Sequence, residues 1–132
     1  MPATAAVPAP AGAALPGEAL PDAVLGPSSP AQISLADHLR RIGVRFYGAH
    51  WCQHCFQQKL LFGQQAAERL PYVECASEQP SVRACELAAV DAYPTWILGR
   101  QRRLGVQSLR QLAIWSGYSR LRDFPGPRPA AP

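Results

Sequence analysis

The stretch "FYGAHWCQHCFQQK", Phe46 to Lys59, decides how this chain folds. A short run rich in β-formers, "VRFY" (44–47), ends just before it turns polar. Trp51 then introduces Cys52 and Cys55, two residues apart with His54 between them. A helix starting at Cys52 would place the first sulfur at its N-terminus. Unpaired backbone N–H groups and the helix dipole favour negative charge there. That favours thiolate over thiol, and the thiolate is the nucleophile. Cys55 lies one turn on and faces the same way, so it can close a disulfide with Cys52 or resolve a mixed disulfide formed there. His54, as a partial cation, adds to the effect and makes the disulfide the more oxidising form.

Outward from this stretch, the chain alternates. Ser29, Pro30 and Gln32 open a helix with a capping box, and Leu35, Leu39 and Ile42 recur at helical spacing up to Gly43. The helix from Cys52 is expected to run to about Leu70, with Phe56, Leu60, Leu61, Ala67 and Leu70 inward and Gly63 as a bend or tight contact. "YVEC" (72–75) reads as a strand, "SEQP" as a loop, and 81–90 as a short helix with Val82, Leu87 and Val90 apolar. "YPTWIL" (93–98) turns from loop into strand, and "RRLG" is a weak edge strand. Ser108 and Gln111 form a second capping box, opening a helix that ends at Gly117. Strands separated by helices imply βαβ crossovers, and the last two strands imply a hairpin. The expectation is an α/β domain with one small mixed sheet flanked by helices.

The ends differ in kind. Residues 1–30 hold seven of the fourteen prolines and no Lys or Arg. Residues 1–28 therefore read as a disordered Pro/Ala-rich tail or linker, 29–124 as one domain, and 125–132 as a second disordered tail. The net charge is +4, and seven of the nine acids share the span Asp37–Asp123 with most of the basic residues. With no dense basic block among aromatics, nucleic acid is not an expected partner. Arg100, Arg102 and Arg103 read as a solvated hairpin tip. No apolar run approaches the ~20 residues that span a bilayer. The N-terminus has no basic region ahead of its apolar residues, so it does not read as a secretion signal. The domain either stays where it is made or belongs to a longer, membrane-tethered chain.

A second site feature lies forty residues on. Tyr93-Pro94-Thr95 precedes a strand on a loop that must approach the dithiol. Pro94 is a candidate cis proline. It supplies no N–H, which leaves neighbouring backbone free to hold an extended peptide.

Trp51-Cys52-Gln53-His54-Cys55 after "VRFY", with Tyr93-Pro94-Thr95 before the next strand, resembles the thioredoxin superfamily. Residues 28–118 are more narrowly similar to the thioredoxin-like domain fused to vitamin K epoxide reductase homologues of cyanobacteria and plant plastids. The matched segments are "SPAQISLADHLRRIGVRFYGAHWCQHCFQQKLLFG", "YVEC", "YPTW" and "SLRQLAIWSGY". The resemblance implies a thioredoxin fold with Cys52 attacking, Cys55 resolving and Pro94 cis. It implies a thiol–disulfide oxidoreductase that oxidises protein dithiols and passes electrons to a quinone-reducing membrane protein like vitamin K epoxide reductase. No cofactor of its own is implied beyond the redox-active disulfide, and a monomer is expected. The compartment it suggests is the thylakoid lumen or the periplasmic side.

Two departures matter. The membrane helices of the fusion are absent from this chain, and the strand position where thioredoxin buries an acid holds Phe46. That leaves water or Glu74 to accept the Cys55 proton. The resembling domains also carry an extra cysteine pair, here Cys75 and Cys85. Three readings stand for it: a structural disulfide, a relay exchanging with Cys52–Cys55, or two buried thiols.

Rival readings of the site are a disulfide reductase recharged by an electron donor, and a non-catalytic module holding zinc through Cys52, Cys55, His50, His54, Cys75 and Cys85. Trp51 is expected to shape a docking surface beside Cys52, with Tyr93 next to Pro94. Trp96 and Trp115 are expected in the core, and His38 and Lys59 in solvent.

Overall fold

The computed structural model describes residues 25–76 and 80–126. Most of the N-terminal Pro/Ala-rich stretch, the last six residues and most of the "SEQP" loop lie outside the described residues. Helix α1 spans Pro30–Arg41. Its capping box forms as the sequence requires: the Gln32 N–H donates to Ser29 Oγ at 3.1 Å, and the Ser29 N–H donates to Gln32 Oε1 at 2.6 Å. A cap of this kind stabilises a helix by about 1 kcal/mol. Leu35, Ala36 and Leu39 are buried, whereas Ile42 caps the C-terminus and stays exposed.

Strand β1 (Arg45–Gly48) leads into α2 (Gln53–Phe62) and α3 (Gln64–Ala67), followed by β2 (Tyr72–Glu74). The expected single helix to Leu70 is therefore two. Gly63 has φ of 85°, in the region open to glycine, and breaks it there. Gly63 is also a tight contact. A Cβ on it would lie 2.6 Å from Ser28 Oγ, which donates to the Phe62 carbonyl and accepts from the Ala66 N–H. Gly26 and Ser28, read as the end of the tail, are thus hydrogen bonded to this corner.

Helix α4 (Pro80–Leu87) precedes β3 (Thr95–Leu98), β4 (Gln101–Leu104), α5 (Leu109–Ser116) and a 3-10 turn at Leu121–Asp123. Leu87, expected as an apolar anchor, is 75% exposed, whereas Cys85 is buried. The sheet order is β2-β1-β3-β4. β1 and β2 are parallel, joined through α2 and α3, while β1–β3 and β3–β4 are antiparallel. This is a single small α/β domain with a thioredoxin-like fold.

Register fixes the core. Phe46 lies opposite Tyr72 on one side and Trp96 on the other. Its ring stacks on Trp96 at 4.4 Å and meets Tyr72 edge-on at 5.2 Å. Leu35, Leu39, Phe62 and Leu112 close over this row. Buried aromatic pairs of this geometry add about 0.5–1.5 kcal/mol beyond their area. Phe46 fills its position by packing, which leaves no room there for a buried acid.

Trp96 is core, as expected, while Trp115 sits half-buried at the core's edge. His38 is not a free surface residue. Its Nε2–H donates to the Ser116 carbonyl at 2.9 Å and its ring packs against Tyr118, tying α1 to α5. Among the described residues, no helix is long and apolar enough to cross a membrane.

Candidate active site

The β1–α2 turn places the two sulfurs. Cys52 is the N-cap of α2, with extended backbone, and its Sγ accepts the Cys55 N–H at 3.4 Å. Cys52 is half-buried. Cys55, one turn in, is 2% exposed. Burial pushes the Cys55 thiol up to about 12; hydrogen bonding to Cys52 and its nearby charge push the same way, while the Ala49 backbone and Lys59 oppose them. The two thiols are thus set apart by position: one at the rim, one sealed beneath it.

The second loop arrives as expected. Tyr93–Pro94 is a cis peptide bond. Pro94 is buried, and the Tyr93 carbonyl stands 3.9 Å from Cys52 Sγ. The Pro94 carbonyl accepts the Gly105 N–H, which fixes the loop to the end of β4. Trp51 is 46% exposed and meets the Tyr93 ring edge-on at 5.9 Å. Both aromatics therefore border the Cys52 sulfur. His54 is exposed on the first turn of α2. His50 is also exposed, and its backbone N–H donates to Glu74 Oε2 at 3.0 Å.

Several residues of this site were not singled out by the sequence reading. Gly48 ends β1 directly beneath the dithiol. A Cβ there would sit 2.8 Å from Cys55 Sγ and 3.0 Å from Tyr72 Cε1. Only a residue without a side chain lets Cys55 pack onto the sheet. Gly48→Ala should therefore push Cys55 off its seat, at roughly the 1–3 kcal/mol that overpacking costs. Urea unfolding should show the lower midpoint, and equilibration with glutathione should show a shifted Cys52–Cys55 potential. An unchanged midpoint and potential would contradict the packing.

Gln58 is fully buried although polar. Its Nε2 donates to the Gln107 carbonyl, and its Oε1 accepts from Trp96 Nε1–H at 3.1 Å and from the Gln107 N–H at 2.8 Å. It locks α2 to β3 and to the loop before α5, so the helix carrying the dithiol is held from below. The expected inward side forms only in part: Leu70 is buried and Phe56 and Ala67 half-buried, but Leu60 and Leu61 are not inside. Cys55, Gln58 and Phe62 point in, and Leu60 and Leu61 are each 40% exposed.

Lys59 was expected in solvent. It is instead half-buried, with Nζ 4.1 Å above the Tyr72 ring centroid. Burial lowers its pKa from the usual lysine value, against the pull of Cys55 and Glu74. The Tyr72 hydroxyl donates to Glu74 Oε1 at 2.8 Å, and burial with this bond holds the phenol above its ordinary range.

Cys75 and Cys85 form a disulfide, with Cα atoms 5.8 Å apart. This excludes the reading as two free buried thiols. It fastens α4 to the end of β2, where the Cys75 N–H also donates to the Gly48 carbonyl at 2.8 Å. A loop of this length closed by a disulfide gains roughly 2–4 kcal/mol. It also takes two sulfurs from the zinc reading. Among the described residues, no three His, Cys, Asp or Glu side chains gather as a metal-ligand set.

Fold and site together define a class: a thioredoxin-like domain with a C-x-x-C dithiol at a helix N-terminus facing a cis proline. No protein-family model matches the chain. It is similar to thiol-disulfide oxidoreductase LTO1 of Arabidopsis thaliana, 43% identical over 97 residues. That match covers 70% of this chain and 26% of the plant protein, so the chain spans about a quarter of that relative's length.

Proposed function

We propose that this chain is a thiol–disulfide oxidoreductase working through Cys52 and Cys55, and that it oxidises dithiols on protein substrates. The observation that carries the reading is the placement of Cys52 Sγ. It lies at the tip of α2, 3.9 Å from the carbonyl that precedes cis Pro94, with Cys55 one turn behind. The similarity to a thiol-disulfide oxidoreductase supports the same chemistry.

In the proposed cycle a substrate thiolate attacks Cys52 of the Cys52–Cys55 disulfide. A mixed disulfide forms at Cys52, and Cys55 leaves and takes up a proton. The second substrate thiol, deprotonated to solvent, attacks the substrate sulfur and expels Cys52. The substrate leaves as a disulfide, and its two electrons reside on the Cys52–Cys55 dithiol. Trp51 and Tyr93 border the entering peptide, and the backbone around Pro94 holds it extended. Transfer of those electrons to a quinone-reducing membrane partner belongs to this proposal. It rests on the resemblance of residues 28–118 to domains fused to vitamin K epoxide reductase homologues.

The direction is tested by the reduction potential of the pair, measured against glutathione. A value of roughly −120 to −200 mV is expected for an oxidant. One near roughly −270 mV would make the domain a reductase instead.

A further inference from the structure

Both directions of exchange require the Cys55 sulfur to carry negative charge, as attacking group when it resolves a mixed disulfide or as leaving group when the pair is opened. Its surroundings oppose this. The sulfur is buried over Gly48 against the sheet, and the acid that could assist from β1 is replaced by Phe46. One cation reaches the same place. Lys59 follows Cys55 by four residues, so both lie on one side of α2. Cys55 Sγ and Tyr72 Cε1 both crowd the missing side chain of Gly48, and Lys59 Nζ lies over that same Tyr72 ring at 4.1 Å. The ring holds the ammonium in place through its face.

We propose that Lys59 is the positioning residue for charge at Cys55: its ammonium, seated on Tyr72, stabilises the Cys55 thiolate during exchange. The inference rests on the proposed roles of Cys52 and Cys55. The Cys55 thiol gives its proton to water, and the thiolate attacks Cys52 of a mixed disulfide. The Cys52–Cys55 bond forms, the bond to the substrate sulfur breaks, and that sulfur leaves as a thiolate that recovers a proton from solvent. The titratable groups acting on the sulfur are Cys52 and Lys59 along α2 and Tyr72 on β2, with Glu74 behind them acting on Lys59 and Tyr72. Glu74 is occupied as an acceptor, taking the Tyr72 hydroxyl and the His50 and Ala76 N–H groups, and so anchors the ring that seats Lys59. The electrostatics agree: Lys59 lowers the Cys55 pKa against the burial that raises it.

The test is stopped-flow reaction of the reduced protein with 5,5′-dithiobis(2-nitrobenzoic acid). Attack by Cys52 releases one nitrothiobenzoate, and resolution by Cys55 releases a second. Lys59→Gln should leave the first phase unchanged and slow the second by about threefold, because roughly one pKa unit cuts the thiolate fraction tenfold while the more basic thiolate attacks about threefold faster. The rise of the second phase with pH should move upward by about the same unit. Lys59→Arg, which keeps the charge, should restore it, with circular dichroism confirming that both variants fold. A second phase in Lys59→Gln that overlays wild type across pH overturns the proposal. So does equal slowing in Gln and Arg variants with no pH shift, which would be packing alone. If wild type itself releases no second nitrothiobenzoate, the roles of Cys52 and Cys55 fail, and this inference fails with them.

Discussion

Cys52→Ser is expected to reduce dithiol oxidation and insulin reduction to the buffer blank, with the fold intact. Each exchange of the proposed cycle breaks a bond at this sulfur. A hydroxyl in its place can neither form a disulfide nor ionise near neutral pH. Cys55 cannot substitute, because it is 2% exposed and burial holds its proton up to about 12. The Cys75–Cys85 disulfide is no substitute, because Cys85 is buried and is closed to a substrate thiolate. Structural cost should be small: Cys52 is an N-cap, and serine is among the best residues there. Thermal unfolding of the reduced variant should therefore match the reduced wild type. The complementary variant, Cys55→Ser, cannot form the disulfide that a substrate thiolate attacks; offered a protein disulfide, its Cys52 thiolate should attack one sulfur, expel the other as a thiolate and accumulate as a mixed disulfide. Wild-type activity in Cys52→Ser would remove the enzymatic reading altogether.

The largest loss of stability is expected from Trp96→Ala. Trp96 is fully buried, stacks on Phe46 and packs near Phe62. Removing a buried aromatic ring costs about 3–5 kcal/mol. Here it also takes the Nε1–H from the buried Gln58 carboxamide, and a buried polar group losing its partner costs about 1–3 kcal/mol. Against a total of about 5–15 kcal/mol for a domain, the variant should sit near its unfolding midpoint in water. Trp96→Phe separates the two contributions, since it keeps a ring in the stack and gives up the donor. In urea it should lose mainly the hydrogen-bond share, and because Gln58 Oε1 still accepts from Gln107, that share should fall at the low end. Equal losses in both variants would mean that the ring's packing contributes little.

What the sequence made legible was local. Ser29 with Gln32, and Ser108 with Gln111, announced two helix starts that the structure forms as read. "VRFY" and "YPTWIL" announced strands, and Tyr93-Pro94 the cis bond. The inward face of α2 was not legible. Leucine pairs outrank a glutamine on any hydrophobic scale, yet Gln58 is the residue that goes inside. Its partners, Trp96 and Gln107, come from segments 38 and 49 residues away. Gly63 then resets the helical phase, so spacing counted across it misleads. The neighbourhood of Cys55 was hidden for the same reason. Gly48, Lys59 and Tyr72 meet only because β1 and β2 pair in one register and α2 lies over them. Glu74, read beside water as an acceptor for the Cys55 proton, accepts the Tyr72 hydroxyl and the His50 backbone N–H, contacts that spacing in sequence does not announce.

The two sulfurs of the C-x-x-C are unequal, one presented and one enclosed. Brief treatment of the reduced, folded protein with iodoacetamide at neutral pH, followed by peptide mapping, tests it directly. Modification is expected at Cys52 alone, with Cys55 labelled only after unfolding. Label on Cys55 ahead of Cys52, or a Cys52 that reacts only in the unfolded chain, would contradict it.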